Sequence, residues 1–185
     1  MYIGPDDVYV LALQAIPIVT AKYAVDDQTK FAQILTGMAY QESCIAKSTK
    51  NLTCFDTEAR PYNSKGELAS SAYGITQILK GTQRNIERLM GWPERPLNDR
   101  SDPQYAVELA AAYLAYLYNG GDKTPRGDWT KALVAYHDGH YSKKGAGHSY
   151  AKLIMSWLPR FDFAGIASRR NNARTLVYNN RAEFR

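Results

Sequence analysis

The sequence is short of several things, and each shortage excludes something. No apolar run in its 185 residues approaches the roughly 18 needed to cross a bilayer, so no membrane span is expected. Only two cysteines occur, Cys44 and Cys54, ten positions apart. They either close one short loop in an oxidising compartment or stand as free thiols. No histidine lies near enough in sequence to complete a zinc ligand set with them, and neither a metal nor a cofactor is expected. The opening residues, "MYIGPDDVYV", hold two aspartates and no Lys or Arg, the wrong charge pattern for a secretory leader. Internal repeats and low-complexity tracts are absent, and strand signals are few.

What is present reads as one domain. Hydrophobic residues make up 45% of the chain and charged residues 22%, the balance of an ordinary folded protein long enough to bury a core. The net charge is +5, and its distribution matters more than its size. Residues 160–185 carry Arg160, Arg169, Arg170, Arg174, Arg181 and Arg185 against Asp162 and Glu183, a net +4 that leaves about +1 for residues 1–159. A uniformly basic body seeking an acidic polymer is therefore not indicated. The division expected is a body, 1–159, followed by a basic C-terminal extension, 160–185.

Helix signals dominate the body. Asp6 and Asp7 are placed to cap a helix reaching about Ala24, with Pro17 expected to kink or split it. Asp26 and Asp27 start a second helix, in which Phe31, Ile34, Leu35 and Met38 recur at helical spacing as the buried face. Glu42 falls four residues after Met38, on or beside that face, in the last turn. Residues 44–70 are punctuated by Asn51, Asp56, Pro61, Asn63, Ser64 and Gly66 and read as a long loop. Ser101-Asp102-Pro103 starts an Ala-rich helix that runs to Asn119 and stops at Gly120-Gly121. Asp128 caps a helix ending at Gly139, and "YAKLIMSWL" forms another before Pro159. The class is mostly α: a helical bundle around a cleft, with at most a small β-hairpin region near 50–78.

Three segments carry the chemistry: "YQES" at 40–43, "SAYGITQI" at 71–78 and "ALVAYHDGHYSKKGAGHSYAKLI" at 132–154. Taken in order, Glu42-Ser43, Gly74-Ile75-Thr76-Gln77, Asp102-Pro103, Ala135-Tyr136-His137-Asp138-Gly139 and Tyr150 resemble the soluble lytic transglycosylase family, the lysozyme-like muramidases of bacteria and their phages. No one of these motifs is specific; the ordered set of five is. The resemblance covers about residues 28–158 and implies an α+β lysozyme-like fold. Three features depart from it. His137 stands where the family usually has Asn, Asp138 replaces a small residue, and 34 residues separate Glu42 from Gln77, more than in many members.

Cutting a β-1,4 glycosidic bond requires a proton on the leaving oxygen. A carboxylic acid supplies one near neutral pH when apolar burial and a helix C-terminus both disfavour its charged form. The end of an apolar helix face, where Glu42 lies, is such a position. Most glycosidases pair two carboxylates. The resemblance implies that one suffices: Glu42 protonates the leaving oxygen, then takes the proton of the muramoyl C6 hydroxyl, leaving a 1,6-anhydro ring. It further implies that Tyr150 orients Glu42, that Ser43 and Gln77 contact the sugar, and that Tyr136 lines the cleft. Each residue also has a plain structural reading. Glu42 fits a solvated helix end, Ser43 a local cap, Gln77 a turn tie, and Tyr136 and Tyr150 core tyrosines. His137 and Asp138 read as site or loop residues, and His140 and His148 as exposed loop residues.

Two other functions stay open on the sequence. A water-using, goose-type-like lysozyme would need a second carboxylate, for which Asp56, Glu58 and Glu67 are the convenient candidates. A non-catalytic glycan-binding or virion structural module would leave the basic tail as the working part. The substrate expected is the glycan strand of peptidoglycan, in the periplasm or cell wall. Without a leader, delivery falls to a virion or another machinery, and the tail is the expected anchor to a protein partner or assembly. No helix-turn-helix or aromatic-rich module accompanies the tail, which argues against nucleic acid as the main ligand.

Overall fold

The computed structural model describes residues 2–43, 55–56, 65, 67 and 70–169. Two short strands and six longer helices follow in the order β1 (Tyr2–Ile3), α1 (Pro5–Thr20), α2 (Gln28–Ser43), β2 (Phe55–Asp56), α3 (Lys80–Met90), α4 (Pro103–Tyr118), α5 (Trp129–Asp138) and α6 (Ala146–Trp157). Residues 163–169 are also helical.

The helix starts are set by acidic side chains. Asp27 accepts the Lys30 N–H at 2.8 Å, Asp102 the Gln104 N–H at 3.1 Å and Asp128 the Lys131 N–H at 3.1 Å, each satisfying a donor that has no partner inside its helix. In α1, Pro5 opens the helix and Asp7 accepts the Gly4 N–H at 2.9 Å. Pro17 lies inside α1 without splitting it, and the helix ends at Thr20, before the expected Ala24. A proline removes one ladder hydrogen bond, and the packing of Val8, Ala12, Ala15, Ile16 and Val19, all 0–1% exposed, holds the segment helical across that gap.

Helix α4 is the centre of the bundle. Twelve of its sixteen residues are buried, among them Ala106, Ala110, Ala111, Ala112 and Ala115, and α1, α2, α3 and α5 all pack on it. Alanine gives the highest helix propensity and the shortest side chain, so a helix enclosed on every side can be approached closely. Helix α6 lies against α5 and α2. Gly37 permits the second contact: a Cβ there would sit 2.9 Å from Leu158 Cδ2 and 3.4 Å from Ile154 Cγ2. A mid-helix glycine costs about 1 kcal/mol relative to alanine, offset here by bringing α6 onto the turn of α2 that precedes Glu42.

Strand β2 lies in the expected 50–78 region and pairs antiparallel with β1 at the N-terminus, Ile3 opposite Phe55; among the described residues of that region an isolated bridge joins Tyr73 and Ile78. The core passes the expected boundary at residue 159, because Phe161 and Ile166 are 8% and 3% exposed and belong to it. Arg169 pairs with Asp6 at 2.9 Å, so the start of the extension is fastened to α1. Cys44, Cys54, Glu58 and the arginines at 170, 174, 181 and 185 lie outside the described residues. Among the described residues no helix is long and apolar enough to cross a membrane.

Candidate active site

Glu42 stands in the last turn of α2, where the helix leaves the core. Its Oε1 accepts a hydrogen bond from the Tyr150 hydroxyl at 2.5 Å. Tyr150 is near the start of α6 and is 6% exposed. Burial first, and then the Glu42 carboxylate beside it, push the Tyr150 phenol well above its ordinary range. Tyr150 therefore stays protonated and acts as a donor. The α2–α6 seam is fixed elsewhere by the Trp157 indole N–H, which donates to Gln41 Oε1 at 3.1 Å, and by the edge-on packing of Trp157 against Tyr40.

The opposite wall is the turn 70–79. Thr76 donates its hydroxyl to the Ala106 carbonyl of α4 at 3.0 Å, and the Thr76 carbonyl accepts from the Tyr136 hydroxyl at 3.0 Å. Arg100, 5% exposed, donates to the carbonyls of Ser71 at 2.8 Å, Ile78 at 2.5 Å and Leu97 at 2.8 Å, clamping both ends of the turn. Gly74 takes a φ of +81°, and a Cβ there would collide with the Arg100 carbonyl oxygen. Gln77 is left-handed at φ +50°, and its side-chain amide returns to the Gly74 carbonyl at 2.8 Å. An unfavourable backbone held by surrounding structure is a frequent mark of a functional turn.

Between these walls lies a cavity of about 330 Å³. Glu42, Gln77, Tyr136, Tyr113 and His137 line it, with Ser70, Ala72, Ile78, Leu79 and Thr82. Glu42 is the only acidic residue among the described residues of that lining. The Tyr136 phenol is pushed well up by burial, then by Glu42 and Tyr113. Burial, followed by Asp122, pushes Tyr113 up to about 12. Among the described residues the cleft thus presents neutral hydroxyls around one carboxyl group.

Of the residues singled out in the sequence, Glu42, Gln77 and Tyr136 meet at the cavity, and Tyr150 reaches it through Glu42. Ser43 is 4% exposed and donates its hydroxyl back to the Ala39 carbonyl at 2.8 Å, inside its own helix. Glu67 is exposed and outside the lining; the side chain of Asp56 lies outside the described residues. His140 is exposed, whereas His148 is helical, with Nε2 3.0 Å from the Ser142 carbonyl. Among the described residues no group of three His, Cys, Asp or Glu is placed to hold a metal ion. Tyr113 and Thr82 were not foreseen. Tyr113 is one of four tyrosines on an Ala-rich helix, with nothing in its spacing to separate cleft from core.

The sequence profile described as the transglycosylase SLT domain matches residues 20–155. The chain belongs to that family. Among solved structures it is similar to an inactive variant of the lytic transglycosylase Slt from Pseudomonas aeruginosa, at 17% identity and a TM-score of 0.40. That match covers 78% of this chain and 22% of the Slt chain, so this SLT-family chain spans about a fifth of that enzyme. No curated protein matches it in sequence.

Proposed function

We propose that the chain is a peptidoglycan lytic transglycosylase in which Glu42 serves as acid and then as base. The observation that carries this reading is Glu42, the one carboxyl group among the described residues at the cavity, held at Oε1 by Tyr150. A glycan strand in the cleft places the bond between a muramoyl C1 and the next sugar's O4 at Glu42. The Glu42 proton passes to O4 as the C1–O4 bond breaks. The C6 hydroxyl of the same muramoyl residue then attacks C1, and its proton returns to the Glu42 carboxylate. A 1,6-anhydro ring forms, no water is consumed and the enzyme is restored. Tyr150 sets the plane of the carboxyl group, so that one group serves both transfers. Gln77 and Tyr136 are the polar groups for the sugar; Ser43 supports the end of α2. Peptidoglycan strands are the substrate, the cell wall is the site of action, and the basic extension is the anchor to a delivering partner.

A hydrolase on the same fold is the rival reading, and it requires a second carboxylate opposite Glu42. Mass spectrometry of purified peptidoglycan digested by wild type and by Glu42→Gln separates the two. Anhydro products, one water lighter than reducing ends, are expected from wild type alone. Reducing ends from wild type would establish the hydrolase. No product from either protein would leave a glycan-binding module as the function.

A further inference from the structure

His137 stands at the cavity beside the proposed catalytic pair, and its surroundings give it a defined state. Its ring packs on the ring of Tyr150, with centroids 4.8 Å apart and planes 40° from parallel. Its Nδ1 is 2.7 Å from Asp138 Oδ1. Asp138 is itself held: its carboxylate oxygens accept the Gly147 N–H, at 3.1 and 3.3 Å, at the start of α6. Asp138 thus joins the end of α5 to the start of the helix that carries Tyr150, and its side chain is only 16% exposed. A carboxylate is an acceptor, so Nδ1 carries the hydrogen of that bond. In the neutral ring Nε2 is then the acceptor. The His137 side chain is 39% exposed where it lines the cavity, and no described residue hydrogen-bonds its Nε2.

We propose that His137 is a glycan-binding residue, whose Nε2, presented by Asp138 at Nδ1, accepts a hydrogen bond from a donor on the saccharide unit beside Glu42. The assignment rests on the cleft being the glycan site proposed above. It adds an imidazole acceptor to a cleft whose described polar lining also holds Glu42, Ser70, Gln77, Thr82 and the hydroxyls of Tyr113 and Tyr136. The Asp138 contact also fixes the ring against Tyr150, so the same imidazole packs the phenol that holds Glu42.

Two substitutions separate the ring nitrogens. The amide of Asn reaches the Nδ1 position and keeps the Asp138 bond; the amide of Gln reaches the Nε2 position and keeps an acceptor for the sugar. In a Glu42→Gln background, tetra-N-acetylchitotetraose is titrated calorimetrically into the protein with His137 intact, with His137→Asn and with His137→Gln. Binding weaker by about 5- to 10-fold is expected for His137→Asn, as for one lost hydrogen bond, and a change within about twofold for His137→Gln. Equal affinity for His137→Asn, or an equal loss in both variants, would overturn the Nε2 assignment. A second readout needs no substitution at His137. The ¹⁵N resonance of Nε2 should move on saccharide addition while that of Nδ1 stays; a stationary Nε2 in the bound state overturns the inference. If Glu42→Gln alone fails to bind the tetrasaccharide, the glycan-cleft reading falls, and this assignment with it. Binding with no change at His137 removes this assignment alone.

Discussion

Tyr150 Oη lies 2.5 Å from Glu42 Oε1, joining α6 to the end of α2 across 108 positions of sequence. The phenol is a donor across the working pH range, because burial and the neighbouring carboxylate both oppose its ionisation. Tyr150→Phe keeps the ring and its packing on His137 and removes only the hydroxyl. On the proposed mechanism kcat/KM should fall about 10- to 100-fold, mostly in kcat, since an orienting contact to the acid–base group is lost. Release of soluble muropeptides measures it. Turnover equal to wild type would show that Glu42 is positioned by other contacts.

The parts legible in the sequence were those governed by local chemistry. Asp27, Asp102 and Asp128 cap helices as their sequence neighbourhoods indicate, because a cap is decided within four residues. Helix α3 gave no such signal: it starts after Leu79 with no side-chain cap, and two of its three buried residues, Gln83 and Glu87, are polar. The pairing of β1 with β2 joins two-residue strands more than fifty positions apart, too short to carry alternation. At the site, the helix end marked Glu42, but only the family resemblance linked Glu42 to Tyr150. The role of Arg100 as a clamp on the 70–79 turn had no sequence counterpart, since three carbonyls attract it and carbonyls have no side-chain signature.

The turn facing Glu42 should be sensitive at Gly74. Alanine there must adopt a φ of +81° and place its Cβ against the Arg100 carbonyl. The left-handed strain alone is of order 1–3 kcal/mol, and relieving the collision would move Arg100 away from Ser71 and Ile78. Gly74→Ala is expected to lower the urea midpoint and reduce turnover together, because Gln77 and the Thr76 carbonyl share the turn. An unchanged midpoint would mean that the turn tolerates a second arrangement.

Away from the cleft, Glu87 should make the fold acid-sensitive. It is 0% exposed, and its carboxylate accepts from the Tyr105 hydroxyl at 2.5 Å, Gln83 at 2.9 Å, the Arg95 N–H at 3.0 Å and Arg84 at 2.7 Å. Burial pushes its pKa up, but these hydrogen bonds, Tyr105 and Gln83 foremost, hold it below the ordinary value. A carboxyl group with a depressed folded-state pKa contributes stability that is complete above the unfolded value, near 4.3. That contribution is lost as pH falls through the lower folded value. Glu87→Ala should therefore cost about 3 kcal/mol at neutral pH, and the gap from wild type should narrow in urea melts repeated at falling pH below about 4. A gap that stays constant with pH would assign the loss to packing rather than to the charge.

The last prediction concerns where the folded body ends. Phe161 packs edge-on against Tyr40 at 5.7 Å and tilted against Phe163 at 5.5 Å, and Phe163 meets Tyr9 of α1 at 5.0 Å. With Ile166 buried beside them, these side chains close the core over α1 and α2. Burying a phenylalanine or isoleucine contributes about 1.5–3 kcal/mol each, so losing Phe161 and Ile166 should remove about 3–6 kcal/mol. A chain ending at residue 169 is the reference, and a chain ending at 159 should melt at least several degrees below it. Because Tyr40 lies two residues before Glu42, the shorter chain should also lose turnover on isolated glycan strands at temperatures where the reference is still active. Equal melting of the two chains would place the end of the cooperative core at residue 159.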